Sequence, residues 1–149
     1  MKRCIIICLL FLPFYKLYCQ EETPAKRFSL TIGYLEAGGS YAGADLEYLL
    51  LKKTGVQVGL GYLGYEAGIN FHMKPSIRSS FLSLKYWHQG VSDRFRQDAV
   101  GFTFNFRARS LIATQLGLGF PMRTGPAMPE EYVVPDIMLL YSIGLYFPF

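Results

Sequence analysis

Cysteine is scarce, and its placement leaves little for it to do. The chain has three, Cys4, Cys8 and Cys19, all within the first nineteen of 149 residues. If that stretch is removed as an export signal, no thiol remains for a disulfide or a cysteine-based metal site. Long apolar runs are missing as well. The run from Cys4 to Tyr15 has twelve residues, against the ~20 that a membrane-spanning helix needs. A basic start (Lys2, Arg3) precedes it and a short tail follows, so residues 1–19 are expected to be a cleaved secretory signal peptide rather than a transmembrane or buried helix. The rival fate for Cys19 is lipidation as the first mature residue. Lys16-Leu17-Tyr18 is a poor context for that, since small residues usually stand before a lipidated cysteine.

Charge is sparse too. Without Lys2, Arg3 and Lys16, the fifteen Lys and Arg fall to twelve against eleven Asp and Glu, a net of +1. The basic surplus that would recommend a nucleic-acid partner disappears. Only two histidines occur, His72 and His88. No metal-ligand cluster and no phosphate-loop glycine spacing is present, so no cofactor, no metal and no catalytic residue is expected.

What the chain has in quantity is alternation. In the last stretch, residues 137–149, Leu139, Tyr141, Ile143, Leu145, Phe147 and Phe149 occupy every second position. Period two over more than ten residues is a strand pattern, and about 9–11 residues is the length of a tilted strand that crosses a bilayer. Residues 20–27 read as a polar lead-in, and 28–149 then repeat one unit, an alternating run followed by a turn signal, with no fixed sequence period. Eight runs are expected, at about 28–36, 42–51, 56–63, 67–73, 77–89, 100–107, 112–120 and 137–149. In strands five and seven the alternation is weakest and the register could slip by one.

The two faces differ in kind. One carries Phe, Leu, Ile, Val and Tyr; the other carries Gly, Ser, Thr, Asn and Gln with an occasional charge. A soluble lipocalin-like barrel would hold its large apolar residues inside, around a ligand, and a charged face outside. A membrane barrel is inside out relative to that, with small and polar residues filling its narrow interior. In hydrocarbon the sheet must close, strand one pairing with strand eight, because no backbone group can be left unpaired there. The expected fold is therefore all-β, an eight-stranded antiparallel up-and-down transmembrane barrel. Tyr34, Tyr48, Tyr62, Tyr86 and Tyr141 would supply aromatic girdles. Short links near 52–55, 74–76 and 108–110 would lie on the periplasmic side, and 37–41, 90–97 and 121–135 would face outwards.

This architecture and the terminal Phe149 resemble the small eight-stranded outer-membrane barrels of Gram-negative bacteria, the size class of the outer membrane protein A transmembrane domain. The resemblance implies a monomer in the cell outer membrane, porin-like in shape, with outer-membrane lipid and lipopolysaccharide as surroundings. It also implies that Tyr141, Ile143, Leu145, Phe147 and Phe149 form the signal read by the barrel-insertion machinery.

Phase places Asp45, Glu47, Lys85 and Arg107 inside, where buried charges must pair. They are expected to form an ion-pair network that plugs the lumen rather than an ion path, since eight strands leave an interior that side chains fill. His72 is expected to be a satisfied interior residue. His88, Asp93, Arg94 and Arg96 are candidate outer-loop contacts with anionic lipopolysaccharide or an unknown surface partner. One family of outer-membrane lipid A deacylases carries a His-x-Ser-Asn arrangement, and His88-Gln89-Gly90 does not match it. The expected role is structural or surface interaction without catalysis. Lipid A acyl hydrolysis is the alternative, and a soluble binder of an apolar ligand the third possibility.

Overall fold

A computed structural model describes residues 26–91, 94–108 and 111–149. The strands are β1 (Phe28–Tyr34), β2 (Gly43–Leu49), β3 (Thr54–Gly61), β4 (Gly64–His72), β5 (Phe81–Val91), β6 (Arg94–Arg107), β7 (Ile112–Thr124) and β8 (Met138–Pro148). Each pairs antiparallel with its neighbour in sequence, and β1 pairs with β8 from Ser29↔Pro148 to Tyr34↔Ile143, closing the barrel. The near end is where β1 begins and β8 finishes; the far end is opposite.

The period-two pattern decides which way each side chain points. Ser83, Lys85 and Trp87 of β5 are buried inside, while Leu82 and Leu84 are exposed outside. In β7, Ala113 and Gln115 are buried, and Leu116 and Leu118 are exposed. Both of the strands with the weakest alternation thus hold the expected phase. Tyr86 lies mid-strand, opposite Ala67 and Val100, and not at a strand end with the other girdle tyrosines.

Several boundaries differ from expectation: β7 runs on to Thr124, into the expected 121–135 loop, and four others differ for a local reason. The segment after β1 does not project outwards. Leu35, Ala37 and Gly38 have φ of +59, +52 and +82. This left-handed run, eased by a residue without Cβ at Gly38, turns 36–40 into the lumen, where Ala37 and Ser40 are buried. The β3–β4 turn is Tyr62-Leu63 between Gly61 and Gly64, so Tyr65 and Glu66 belong to β4 rather than to a link. Residues 77–80 are not strand. Met73 N–H donates to the Ser80 carbonyl (3.0 Å) and Lys74 N–H to Ser79 Oγ (2.9 Å), closing a loop that buries Ile77 in the near mouth. Residues 94–97 continue β6 instead of forming a loop. Only Phe95 of the four is apolar, so the stretch carries no hydrophobic alternation.

Candidate functional site

The lumen is filled by polar side chains in two connected groups. The near group centres on Glu47 of β2. His72 Nε2 lies 2.9 Å from Glu47 Oε1, Asn70 donates to the same oxygen, and Arg107 Nη2 stands 2.7 Å from Oε2 as an ion pair. Arg107 also donates to the Ile77 carbonyl, and its guanidinium lies 4.7 Å from the Phe81 ring centre and 4.9 Å from that of Tyr146. A planar cation between two aromatic faces is a favourable desolvated arrangement. It ties the 73–80 loop across the near mouth.

The far group centres on Glu66 of β4. Lys85 Nζ donates to Glu66 Oε1 at 2.7 Å and Gln57 Nε2 to the same oxygen at 3.0 Å. Trp87 Nε1 (2.8 Å) and the Gly38 N–H (3.1 Å) donate to Oε2. Asn70 joins the two groups by donating to Gln57 Oε1 at 2.9 Å.

All four expected interior charges are buried, but they do not pair among themselves as a closed set. Glu47 meets Arg107; Lys85 meets Glu66. Asp45 is 1% exposed and has no hydrogen-bond partner on either oxygen among the described residues. It shares a cavity of about 10 Å³ with Glu36 and Arg107, and the charges that bear on it most are Glu66, Lys85 and Glu36. Sequence reasoning missed Glu66 and Glu36. Gly64 looked like a turn residue, and its true role is to let β4 approach the His88 carbonyl, which a Cβ would overlap. Glu36 enters the lumen only through the left-handed run, and donation by Ser142 Oγ at 2.9 Å holds it there.

A buried carboxylate without a hydrogen-bond partner, set among other carboxylates, is costly. Asp45→Asn is therefore expected to stabilise the barrel by about 1–3 kcal/mol, read from the urea midpoint of the detergent-solubilised protein. A loss of stability would show that the Asp45 charge is partnered.

A second cluster lies at the far rim on the outward face. The registers Tyr65↔His88↔Asp98↔Arg123 put four side chains in one cross-strand row. His88 Nδ1 lies 2.6 Å from Asp98 Oδ1, and Arg123 Nε donates to Asp98 Oδ2 at 2.9 Å. Tyr65 stacks on the imidazole at 4.6 Å, and Phe95 lies 5.1 Å from it. His88 is thus a buried, carboxylate-bound residue and not a free loop contact, a correction that follows from β6 extending to Arg94. Arg94 and Arg96 are exposed at the far end, in β6 rather than in a loop. Asp93 lies outside the described residues.

Comparison with family models, with curated proteins and with solved structures gives no match. The site has to be judged on its own geometry. Among the described residues no group of three or more His, Cys, Asp or Glu side chains is placed to hold a metal ion, and no hydroxyl is hydrogen-bonded to His88. The interior can hold the strands in register and block the lumen. The far rim offers cations and aromatic faces.

Proposed function

We propose that the chain is a bacterial outer-membrane barrel, exported through a signal peptide at residues 1–19 (outside the described residues), with a non-enzymatic structural or surface-interaction role. The observation that carries this reading is the direction of the side chains. Val58 and Phe102 are 57% and 61% exposed at mid-strand, as is a belt of Leu, Ile and Phe on every strand around them. The interior holds Asn70, Ser83, Lys85 and Thr103 instead. A water-soluble barrel would leave that belt in contact with water at about 25 cal/mol per Å². A soluble lipocalin-like binder shares the closed barrel, but it needs an apolar, roomy interior, and below its far mouth this lumen is polar and filled.

The outward placement of Tyr141, Ile143, Leu145, Phe147 and Phe149 suits an insertion signal read by the barrel-assembly machinery. With the near end periplasmic, the β5–β6 hairpin and the 125–137 loop meet lipopolysaccharide or a surface partner, and one chain completes the barrel. The test is folding from urea into preformed lipid vesicles, followed by flotation. The folded chain is expected to float and to resist an alkaline wash; chain left at the bottom of the gradient contradicts membrane insertion. In planar bilayers, insertion is expected to give no sustained current, because Ile77 and the Arg107 stack cross the near mouth. An open-pore current would contradict the plugged lumen.

Lipid A chemistry is the second reading, and the His88–Asp98 pair favours it, since a carboxylate-oriented imidazole is half of a general-base device. It requires a His88-dependent change in lipid A mass. Unaltered lipid A on expression of the wild-type chain would dismiss it.

A further inference from the structure

The barrel seam is incomplete at its far end. β1 accompanies β8 only as far as Tyr34↔Ile143. β8 continues to Met138, paired there with β7 alone, out to Gly119↔Met138. Among the described residues no strand lies beside the other edge of β8 from Ser142 back to Met138; β1 has turned into the lumen at Leu35, and Glu36 meets that edge from within at Ser142. The outward residues at this height, Leu139 and Tyr141, are exposed and apolar, and Leu139 sits beside Leu118 of β7. An open sheet edge at an apolar level needs cover.

Two adjoining clefts open at this gap. The outer one, about 520 Å³, is lined by Arg94 and Arg96 together with Tyr34, Tyr41 and Tyr141. The inner one, about 150 Å³, shares Leu35, Gly39, Gln89 and Tyr141 with it and ends on Trp87, Met138 and Leu140. Among the described residues no carboxylate lies within 4.0 Å of either guanidinium. The cations thus stand at the rim alone, and the inner cleft ends on an indole and aliphatic chains together with the Gln115 amide. The volumes are those of small-molecule sites.

We propose that this vestibule binds a single-chain anionic amphiphile, with its acid group at Arg94 and Arg96 and its alkyl chain running past the β1–β8 gap to Trp87. The guanidinium pair suits a carboxylate or phosphate, and the chain would cover the unpaired edge of β8. The proposal rests on the membrane reading only for the source of the ligand, a free fatty acid or a lipid of the outer leaflet.

Trp87 is the only tryptophan, and its bond to Glu66 fixes the indole at the cleft floor, so the protein carries its own probe. The experiment uses the full chain folded in nanodiscs, titrated with a medium-chain fatty acid brominated at its terminal carbon. Saturable quenching of Trp87 is expected, stronger than with the same acid brominated next to its carboxylate. The apparent affinity is expected to fall roughly tenfold for the brominated alcohol and for the Arg94→Ala/Arg96→Ala protein, the worth of one charge-assisted contact. Both arginines are exposed, so folding is not at stake in that variant. A parallel arm uses nanodiscs containing a chain-brominated phospholipid. Quenching there without added acid, reduced by the arginine substitutions, supports the vestibule and names a membrane lipid as the source. Quenching that rises linearly, is equal for acid and alcohol and is unmoved by the arginine substitutions is simple partition and overturns the proposal. If the chain fails to enter nanodiscs, the membrane reading falls alone, and the same titration in buffer still decides the vestibule.

Discussion

Glu66→Ala is expected to lower the stability of the barrel by about 3–5 kcal/mol, the usual cost of removing one partner of a buried ion pair. Glu66 and Lys85 are 3% and 1% exposed and in contact at 2.7 Å; Lys85 Nζ donates to Gln115 Oε1 at the same distance. Losing the carboxylate strands more than the ammonium. The Trp87 indole N–H, the Gln57 amide and the Gly38 N–H all donate to it. Truncation therefore leaves several buried donors unsatisfied, each costing about 1–3 kcal/mol in an interior. Glu66→Gln keeps acceptors but not the charge, and an intermediate loss is expected. Glu66→Ala combined with Lys85→Met removes both charges and is expected to recover much of the loss, because a desolvated pair gives little net stability over an apolar replacement. Urea unfolding of the detergent-solubilised protein measures all three. A Glu66→Ala protein as stable as wild type would mean that Lys85 is satisfied elsewhere, and Gln115 Oε1, to which Nζ also donates at 2.7 Å, would be the first to examine.

The second large effect belongs to the outward face. Val58→Arg is expected to cost about 2–4 kcal/mol for folding into a bilayer, the depth-dependent penalty of a cation on the lipid side of a barrel. Val58 sits in the middle of β3, opposite Leu46 and Ala67, so its side chain lies near the midplane of the apolar belt. The same substitution at a surface position in water changes stability within about 0.5 kcal/mol. The experiment separates the two solvents cleanly. A penalty seen in vesicles marks Val58 as lipid-facing, whereas a neutral or solubilising effect would mean that the belt meets water.

Most of the fold was legible because one variable, the phase of alternation, decides strand direction, interior content and closure together. Leu84 outside and Lys85 inside follow from it without further information. The seams of the site were not legible, because they depend on backbone conformations the pattern does not encode. Glu36 reaches the lumen among four left-handed residues, only two of them glycine. Glu66 hid behind Gly64, where the absence of a Cβ serves close strand approach rather than a turn. The extension of β6 to Arg94 was masked by its own polarity, so the row that joins His88 to Asp98 could not be drawn. Asp45, Glu47, Lys85 and Arg107 form two charge-balanced pairs on paper. Only the three-dimensional registers show that Lys85 prefers Glu66 and that Asp45 is left over.

Gel migration of the membrane-extracted protein, unheated against heated in detergent, tests most directly whether this is a closed barrel that lives in the outer membrane. The expected result is enrichment in the outer-membrane fraction and faster migration before heating than after, because a closed sheet of eight strands stays folded in the detergent until heated. Recovery in the soluble fraction, with one mobility before and after heating, would contradict it, and the apolar belt would then need another partner.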